Sequence, residues 1–333
     1  LQSKQLLPEF QKINKIINDC TQENPNLRPK LTELIDHFYI DFLSNFSNKI
    51  FETKTVQSQK NIHDAKFFQY WICLSEYTNC NSHFLLGKSY DDNGVFPVNI
   101  NKAIHYYLLA SEQNEPKSLC NLSFIYYSNI HIPQNINKAI YYSFLGTKLN
   151  FAPSFFNLGI YYQYIPSIQD IGKSIYYYKK AADLNEQRAF FQLGVIYSNK
   201  KYGFFDIEKA IHYYSLLADN QKDVNAQFNL GCLYVERNIN EAIRYFSLAS
   251  EKNLPSAQCK LGFIYLTETS FKDIDKAVTH LLKAADFQYP EALFILGQVY
   301  SKRQYGLYDI NKALYYFELA SKYNYVKAQS FCG

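Results

Sequence analysis

The chain has no methionine and a single tryptophan among its 333 residues. It also has no window of about 18 consecutive apolar residues, which excludes a helical membrane span. Because Leu1 is the first residue, the chain is expected to begin inside a longer protein, and the missing leader says nothing about targeting. Charge of either sign is also scarce in blocks. With 34 basic and 30 acidic residues the formal net charge is +4, and neither a basic run nor a basic helix face is present. Nucleic acid is therefore not an expected partner.

Chemistry-bearing patterns are equally thin. The seven histidines show no His-Glu-x-x-His or other metal spacing. His105 and His212 share one repeat position and read as helix-surface residues. The cysteines, Cys20, Cys73, Cys80, Cys120, Cys232, Cys259 and Cys332, form no Cys-x-x-Cys pair. Cys120 and Cys259 share one repeat position, held by phenylalanine in the other copies, and read as small core hydrophobes; a reducing, cytoplasmic compartment fits. The glycines are dispersed, so no phosphate-cradling loop exists, and no serine or cysteine carries a nucleophile signature. No catalytic residue, metal or cofactor is expected. The sequons at Asn45 and Asn121 are incidental, the second lying on a helix that must pack.

What the chain has in abundance is aromatic residues in register: 31 tyrosines and 26 phenylalanines, read as packing residues. One position is held by Gly87, Ser123, Gly159, Gly194, Gly231, Gly262 and Gly297, at intervals of 31 to 37 residues. Leucine precedes it in every copy, a tyrosine stands three residues after it, and Ser or Ala stands five before it. Seven matches at four positions exclude chance. A second helix follows in each copy, opened by Asn99, Asn135, Asp170, Asp206, Asn238, Asp273 or Asp309 and then Ile. Such residues cap free N–H groups of a first turn. Four residues on stands Ala103, Ala139, Ser174, Ala210, Ala242, Ala277 or Ala313, followed by an aliphatic residue and, in every copy but the sixth, by tyrosine.

Glycine costs about 1 kcal/mol in a helix interior relative to alanine. Its recurrence predicts a close approach, with the small residue of the second helix (helix B) meeting the glycine of the first (helix A). Two such short helices bury their apolar faces only when stacked on neighbours, which makes a solenoid. In copy five the inter-helix loop is about five residues shorter, expected to leave packing intact and disturb only the outer edge.

The Leu-Gly-x-x-Tyr and Lys-Ala-Ile-x-Tyr-Tyr signatures resemble the Sel-1-like repeat family, a relative of the tetratricopeptide repeat. The resemblance covers residues 61–333: a cap helix at 61–79, seven full repeats and a truncated eighth. It implies an all-α fold, a right-handed α-solenoid with helix A on the concave side. It also implies adaptor work in signalling or in assembling membrane-linked complexes.

Residues 1–38 differ. An apolar helical stripe through Ile13, Ile16 and Ile17 ends at Cys20, and the turn Asn24-Pro25-Asn26-Leu27-Arg28-Pro29 opens another helix. This resembles the last two helices of a protein kinase C-terminal lobe. Pro25, Arg28 and Pro29 match its turn, and the resemblance implies that Arg28 pairs with an upstream glutamate absent here. Residues 39–60 read as a helical connector and polar loop. The glycine-rich loop, β3 lysine, catalytic aspartate and Asp-Phe-Gly site of a kinase are all missing, so the chain itself is not an enzyme. A non-catalytic recruiting or regulatory region of a kinase is the alternative reading.

At 100° per residue, two adjacent helix A positions point away from the buried face. The row two residues before the glycine includes Asn121, Asn157, Gln192 and Asn229. The row one residue after it includes Phe124, Ile160, Val195, Cys232 and Phe263. Carboxamides can bond an extended peptide backbone while apolar residues take its side chains. The expectation is therefore a scaffold binding proteins or extended peptides on helix A, its oligomeric state unspecified.

Overall fold

In the computed structural model, residues 80–91, 98–220 and 222–332 are described. The kinase-like turn, the connector at 39–60 and the cap helix at 61–79 lie outside these residues, as do Arg28, Cys20 and Cys73. The chain divides into two compact units, Leu1–Ile136 and Asn137–Gly333. The first contains α1 (Cys80–Asp91), α2 (Ile100–Glu112) and α3 (Pro116–Ser128). Helix α4 (Ile136–Lys148) opens the second. It continues with α5 (Ala152–Tyr164), α6 (Ile171–Asp183), α7 (Gln187–Ser198), α8 (Ile207–Asn220), α9 (Val224–Tyr234) and α10 (Ile239–Glu251). It ends with α11 (Pro255–Thr267), α12 (Ile274–Asp286), α13 (Pro290–Ser301), α14 (Ile310–Lys322) and α15 (Val326–Cys332). Among the described residues every α-helix belongs to the repeat pattern and no strand occurs. The fold is an all-α solenoid of paired helices, with odd-numbered helices as A and even-numbered helices as B.

Local chemistry fixes both kinds of turn. The cap residue of helix B sends its backbone N–H to the carbonyl of the helix A tyrosine, at 2.8–2.9 Å from Asn99–Tyr90 through Asp309–Tyr300. Its side chain accepts from the N–H three residues on, 2.9 Å for Asp170 to Lys173 and 3.1 Å for Asp309 to Lys312. That capping N–H is the main cause holding the Asp170 and Asp273 carboxyls below their usual pKa. The return from B to A passes through one left-handed residue: Asn114, Asn150, Asn185, Lys222, Asn253, Gln288 or Asn324, at φ of 52° to 64°. Asparagine tolerates this region better than most L-residues. Proline in the first turn, as in α3, α11 and α13, then starts helix A.

The glycine does mark a close approach, but the group that enters it differs from the one expected. A Cβ on Gly159 would lie 2.5 Å from the Tyr178 ring, and one on Gly231 2.6 Å from the Phe246 ring. The visitor is the large residue four positions after the small one: Tyr107, Tyr178, Tyr214, Phe246, Leu281 or Phe317. The small residue instead lets the helices close: Ser174 Oγ donates to the Gly159 carbonyl at 2.8 Å. Where copy two has Ser123 for glycine, the matching helix B position is the small Ser143, and both are fully buried.

The tyrosine just before that visitor does something else. It stacks on the helix A tyrosine, as in Tyr162–Tyr177 at 5.6 Å and 6° and Tyr300–Tyr316 at 5.7 Å and 8°. The helix B lysine of the same turn covers the outer ring, Lys173 lying 5.0–5.7 Å from its ring like its counterparts. In copy five the shortened loop leaves this intact, with Tyr234 and Tyr245 stacked at 5.8 Å and 6°. Only the loop edge changes: a turn at 235–237 joins α9 to Asn238 in place of the short 3₁₀ turn of copies three, four, six and seven.

Candidate peptide-binding face

The helix A rows are best followed within each unit. In the first unit they open into a recess of about 350 Å³ lined by Lys88, Asp91, Ile100, Tyr107, Asn121, Phe124, Ile125, Ser128, Ile130 and His131. Phe124 is 54% exposed. Asn121 is half-buried, and its Nδ2 donates to the Tyr107 hydroxyl at 2.9 Å, which in turn donates to Asp91 at 3.2 Å. In the second unit Asn157, Gln192 and Asn229 are half-buried, and so are Ile160 and Val195. Cys232 is exposed and Phe263 is 48% exposed.

The amide row is tied to the interlocked tyrosines. Asn229 and Ser198 lie within hydrogen-bonding reach of the Tyr214 hydroxyl, whose pKa burial pushes up to about 12. Tyr178 donates to Gln163 Oε1 at 2.7 Å in the buried interior, and the Gln163 Nε2 has no protein partner. Tyr164 donates to Gln192 Oε1 at 3.3 Å. Asn121 and Asn229 thus face outward on one side and meet a buried hydroxyl on the other, while Gln192 meets the exposed Tyr164. One primary amide has two N–H donors and a carbonyl with two lone pairs, so capacity for a ligand remains. Past copy five the row ends as the visitors turn apolar. Lys260, next to Phe246 in the series, pairs with Glu291 at 3.3 Å, and Ile295, after Leu281, is buried.

The cysteines divide by repeat position. Cys259 is buried, Cys120 half-buried and Cys232 exposed, because Cys232 stands at the outward position after the glycine. Its thiol is nonetheless pushed above its ordinary pKa by the surrounding chain. His105 and His212 are exposed, each edge-on to the following tyrosine at 5.3 Å. Several tyrosines placed in packing are in fact outward: Tyr141, Tyr176 and Tyr315 are 55–58% exposed on helix B. Among the described residues no group of three or more His, Cys, Asp and Glu could hold a metal ion, and no helix is long and apolar enough to cross a membrane.

The Sel1 repeat profile matches seven segments, 81–115, 116–149, 156–186, 191–221, 224–254, 255–286 and 290–322. The chain belongs to the Sel1 repeat family. Its solved relatives share the fold. The protective antigen c5321 of uropathogenic Escherichia coli, described as displaying an SLR fold, is 24% identical with a TM-score of 0.64. That match covers 76% of this chain and 56% of the antigen, so this chain spans little more than half its length. A Sel1 repeat protein from Oxalobacter formigenes is 21% identical with a TM-score of 0.65, covering 93% of this chain and 91% of its own. No curated protein matches. The profile begins at residue 81 and gives no support to the kinase resemblance of residues 1–38. Sel1 repeat proteins are generally protein-interaction scaffolds.

Proposed function

We propose that this Sel1 repeat chain is a non-catalytic scaffold that holds a partner protein or extended peptide on its helix A face. The observation that carries this reading is the exposure of a large apolar side chain at the outward repeat position within each unit, Phe124 in the first and Phe263 in the second, with amides at the neighbouring repeat position. Soluble surface has no need of such a row, whereas a peptide uses both halves of it: backbone groups for the amides, side chains for the apolar positions. The solenoid of residues 61–333 is the binding domain. The free thiols of Cys120, Cys232 and Cys259 fit a reducing, cytoplasmic setting. A recruiting role beside a kinase would rest on Pro25, Arg28 and Pro29 alone, and nothing among the described residues favours it.

The test is affinity capture with the full chain, followed by variants against the captured partner. Phe124→Ser with Phe263→Ser should weaken binding through lost apolar contact. Asn157→Ala, Gln192→Ala and Asn229→Ala together should weaken it by roughly 1.5–4.5 kcal/mol if their bonds add. Lys138→Ala and Lys209→Ala on helix B should leave it unchanged. Full affinity in both helix A variants would refute the reading.

A further inference from the structure

The recess of the first unit has chemistry that the rest of the helix A face lacks. Its walls are apolar, with Ile125 buried, Ile100 half-buried, and Phe124 and Ile130 exposed at 54% and 66%. Two basic side chains stand on its lining, Lys88 at the outward position after Gly87 and His131 in the loop after α3. Both are exposed, and neither has a hydrogen-bond or ion-pair partner among the described residues. This sets Lys88 apart from Lys260, the other lysine of these rows, which is paired with Glu291. Among the described lining residues Asp91 is the acidic one; it accepts from the Tyr107 hydroxyl at 3.2 Å and keeps its charge. Ile100 is the first residue of α2, so the positive end of that helix dipole also borders the space. The amide of Asn121 is fixed on its inner side by Tyr107 and keeps its carbonyl oxygen for a ligand N–H.

We propose that this recess receives an acidic residue of an extended peptide, its carboxylate facing Lys88 and His131, with a neighbouring apolar side chain lying against Phe124 and Ile130. The assignment rests on the helix A face being the binding face and adds the chemical class of what binds there. The volume suits one or two side chains and excludes a folded element. The apolar walls supply contact area, and the two unpartnered basic groups select charge. A basic peptide would leave Lys88 opposed by like charge, a cost that suppresses the wrong partner more than it lowers affinity for the right one.

The test is selection of binders to the full chain from a random-peptide display library, with affinities of the enriched peptides measured by anisotropy. Enriched sequences should carry Asp or Glu within two residues of a large apolar residue. Lys88→Glu should weaken them roughly fivefold or more, as expected when one charge pair of up to about 1 kcal/mol is reversed. It should also shift selection toward basic peptides. Lys88→Arg should retain binding, and Lys180→Glu on α6, an equal change in net charge, should not alter it. Added salt should weaken the wild-type complex and leave the Lys88→Glu complex less affected. Peptides that bind the helix A face but are basic, or are indifferent to Lys88→Glu, would overturn this assignment and leave the scaffold reading standing. If the peptides enriched by the chain were insensitive to Phe124→Ser and Phe263→Ser as well, both would fall.

Discussion

Copies three and four of the array differ from copies five and six in one respect that spreads outward. In the first pair the residue locked into the glycine notch is a tyrosine, Tyr178 or Tyr214; in the second it is Phe246 or Leu281. The position four residues after the glycine changes with it. Gln163 and Ser198 meet the hydroxyls, while Val235 and Leu266 stand where no hydroxyl arrives. The outward amide follows the same division: Gln192 and Asn229 come after tyrosines, Lys260 and Ile295 after Phe246 and Leu281. A buried tyrosine oxygen therefore brings a polar acceptor inside, and in Asn229 an amide at the surface; Asn157, which follows Ser143, has its amide without such a tyrosine. Binding chemistry on the helix A face is thus partly a by-product of how the core satisfies its hydroxyls.

The comparison breaks most violently if the notch itself is filled. Gly194→Leu or Gly231→Leu drives a side chain into a ring already 2.6 Å from where Cβ would sit. Each should cost about 3 kcal/mol or more, read from urea unfolding, with no difference between the polar and apolar copies. Gly231→Ser combined with Phe246→Ser, the pairing that copy two carries, should cost less than the two single losses summed. Strict additivity would mean the notch and its visitor are not coupled.

Alkaline pH separates the two kinds of copy next. Burial raises the Tyr214 pKa to about 12, against about 10 in an unfolded chain. The neutral phenol is favoured by the fold, so this contribution is complete below pH 10 and is lost as pH rises toward 12. The loss amounts to roughly 2–3 kcal/mol. Tyr214→Phe should flatten that part of the stability–pH curve, whereas Phe246→Leu in copy five should leave its shape unaltered. Parallel curves for wild type and Tyr214→Phe between pH 10 and 12 would count against a buried hydroxyl there.

Exchanging the visitors sharpens the point. Tyr178→Phe strands Gln163, whose Nε2 already lacks a protein partner, and Phe246→Tyr brings a hydroxyl to Val235. Tyr178→Phe should cost about 1–3 kcal/mol, because a buried polar group is left unpaired; Phe246→Tyr should cost less, since Val235 is 38% exposed and water can reach the added hydroxyl. Adding Val235→Ser to Phe246→Tyr should recover part of the loss. At the surface the contrast is smaller. Asn229→Ala should cost about 0.5–1.5 kcal/mol, and Lys260→Ala no more than the loss of a partly exposed ion pair, about 0–1 kcal/mol. The smallest effect has the opposite sign. Ser154 Oγ is buried without a protein partner at a position held by alanine in copies four to seven. Ser154→Ala should therefore leave the midpoint unchanged or raise it by up to about 1 kcal/mol.

Much of this was legible in the residues. The glycine, leucine and tyrosine register placed every described helix A, and the Asn or Asp openers became caps with side-chain bonds near 3 Å. The doublets Tyr106-Tyr107, Tyr177-Tyr178 and Tyr213-Tyr214 were visible, but helical spacing alone does not say which ring enters the notch and which stacks outside. At 100° per residue both lie on the inward half of helix B, and only the neighbouring helix decides. Asparagine recurs at the left-handed turn in Asn114, Asn150, Asn185, Asn253 and Asn324, a signal present in the sequence and not used. The amide row was found by its direction, while its bond to a buried hydroxyl depends on two helices from adjacent copies and has no local signature.

Cys232 offers the most direct measurement of the binding face. It lies in the apolar row between Val195 and Phe263, while Cys259 is buried. Alkylation rates at each cysteine, resolved by peptide mass spectrometry at pH 8.5 with and without saturating captured partner, report coverage of that row. The account predicts that Cys232 is labelled faster than Cys259 in the free chain and is slowed when the partner is bound, with Cys259 slow in both states. Equal labelling of Cys232 in the free and saturated chain would contradict it.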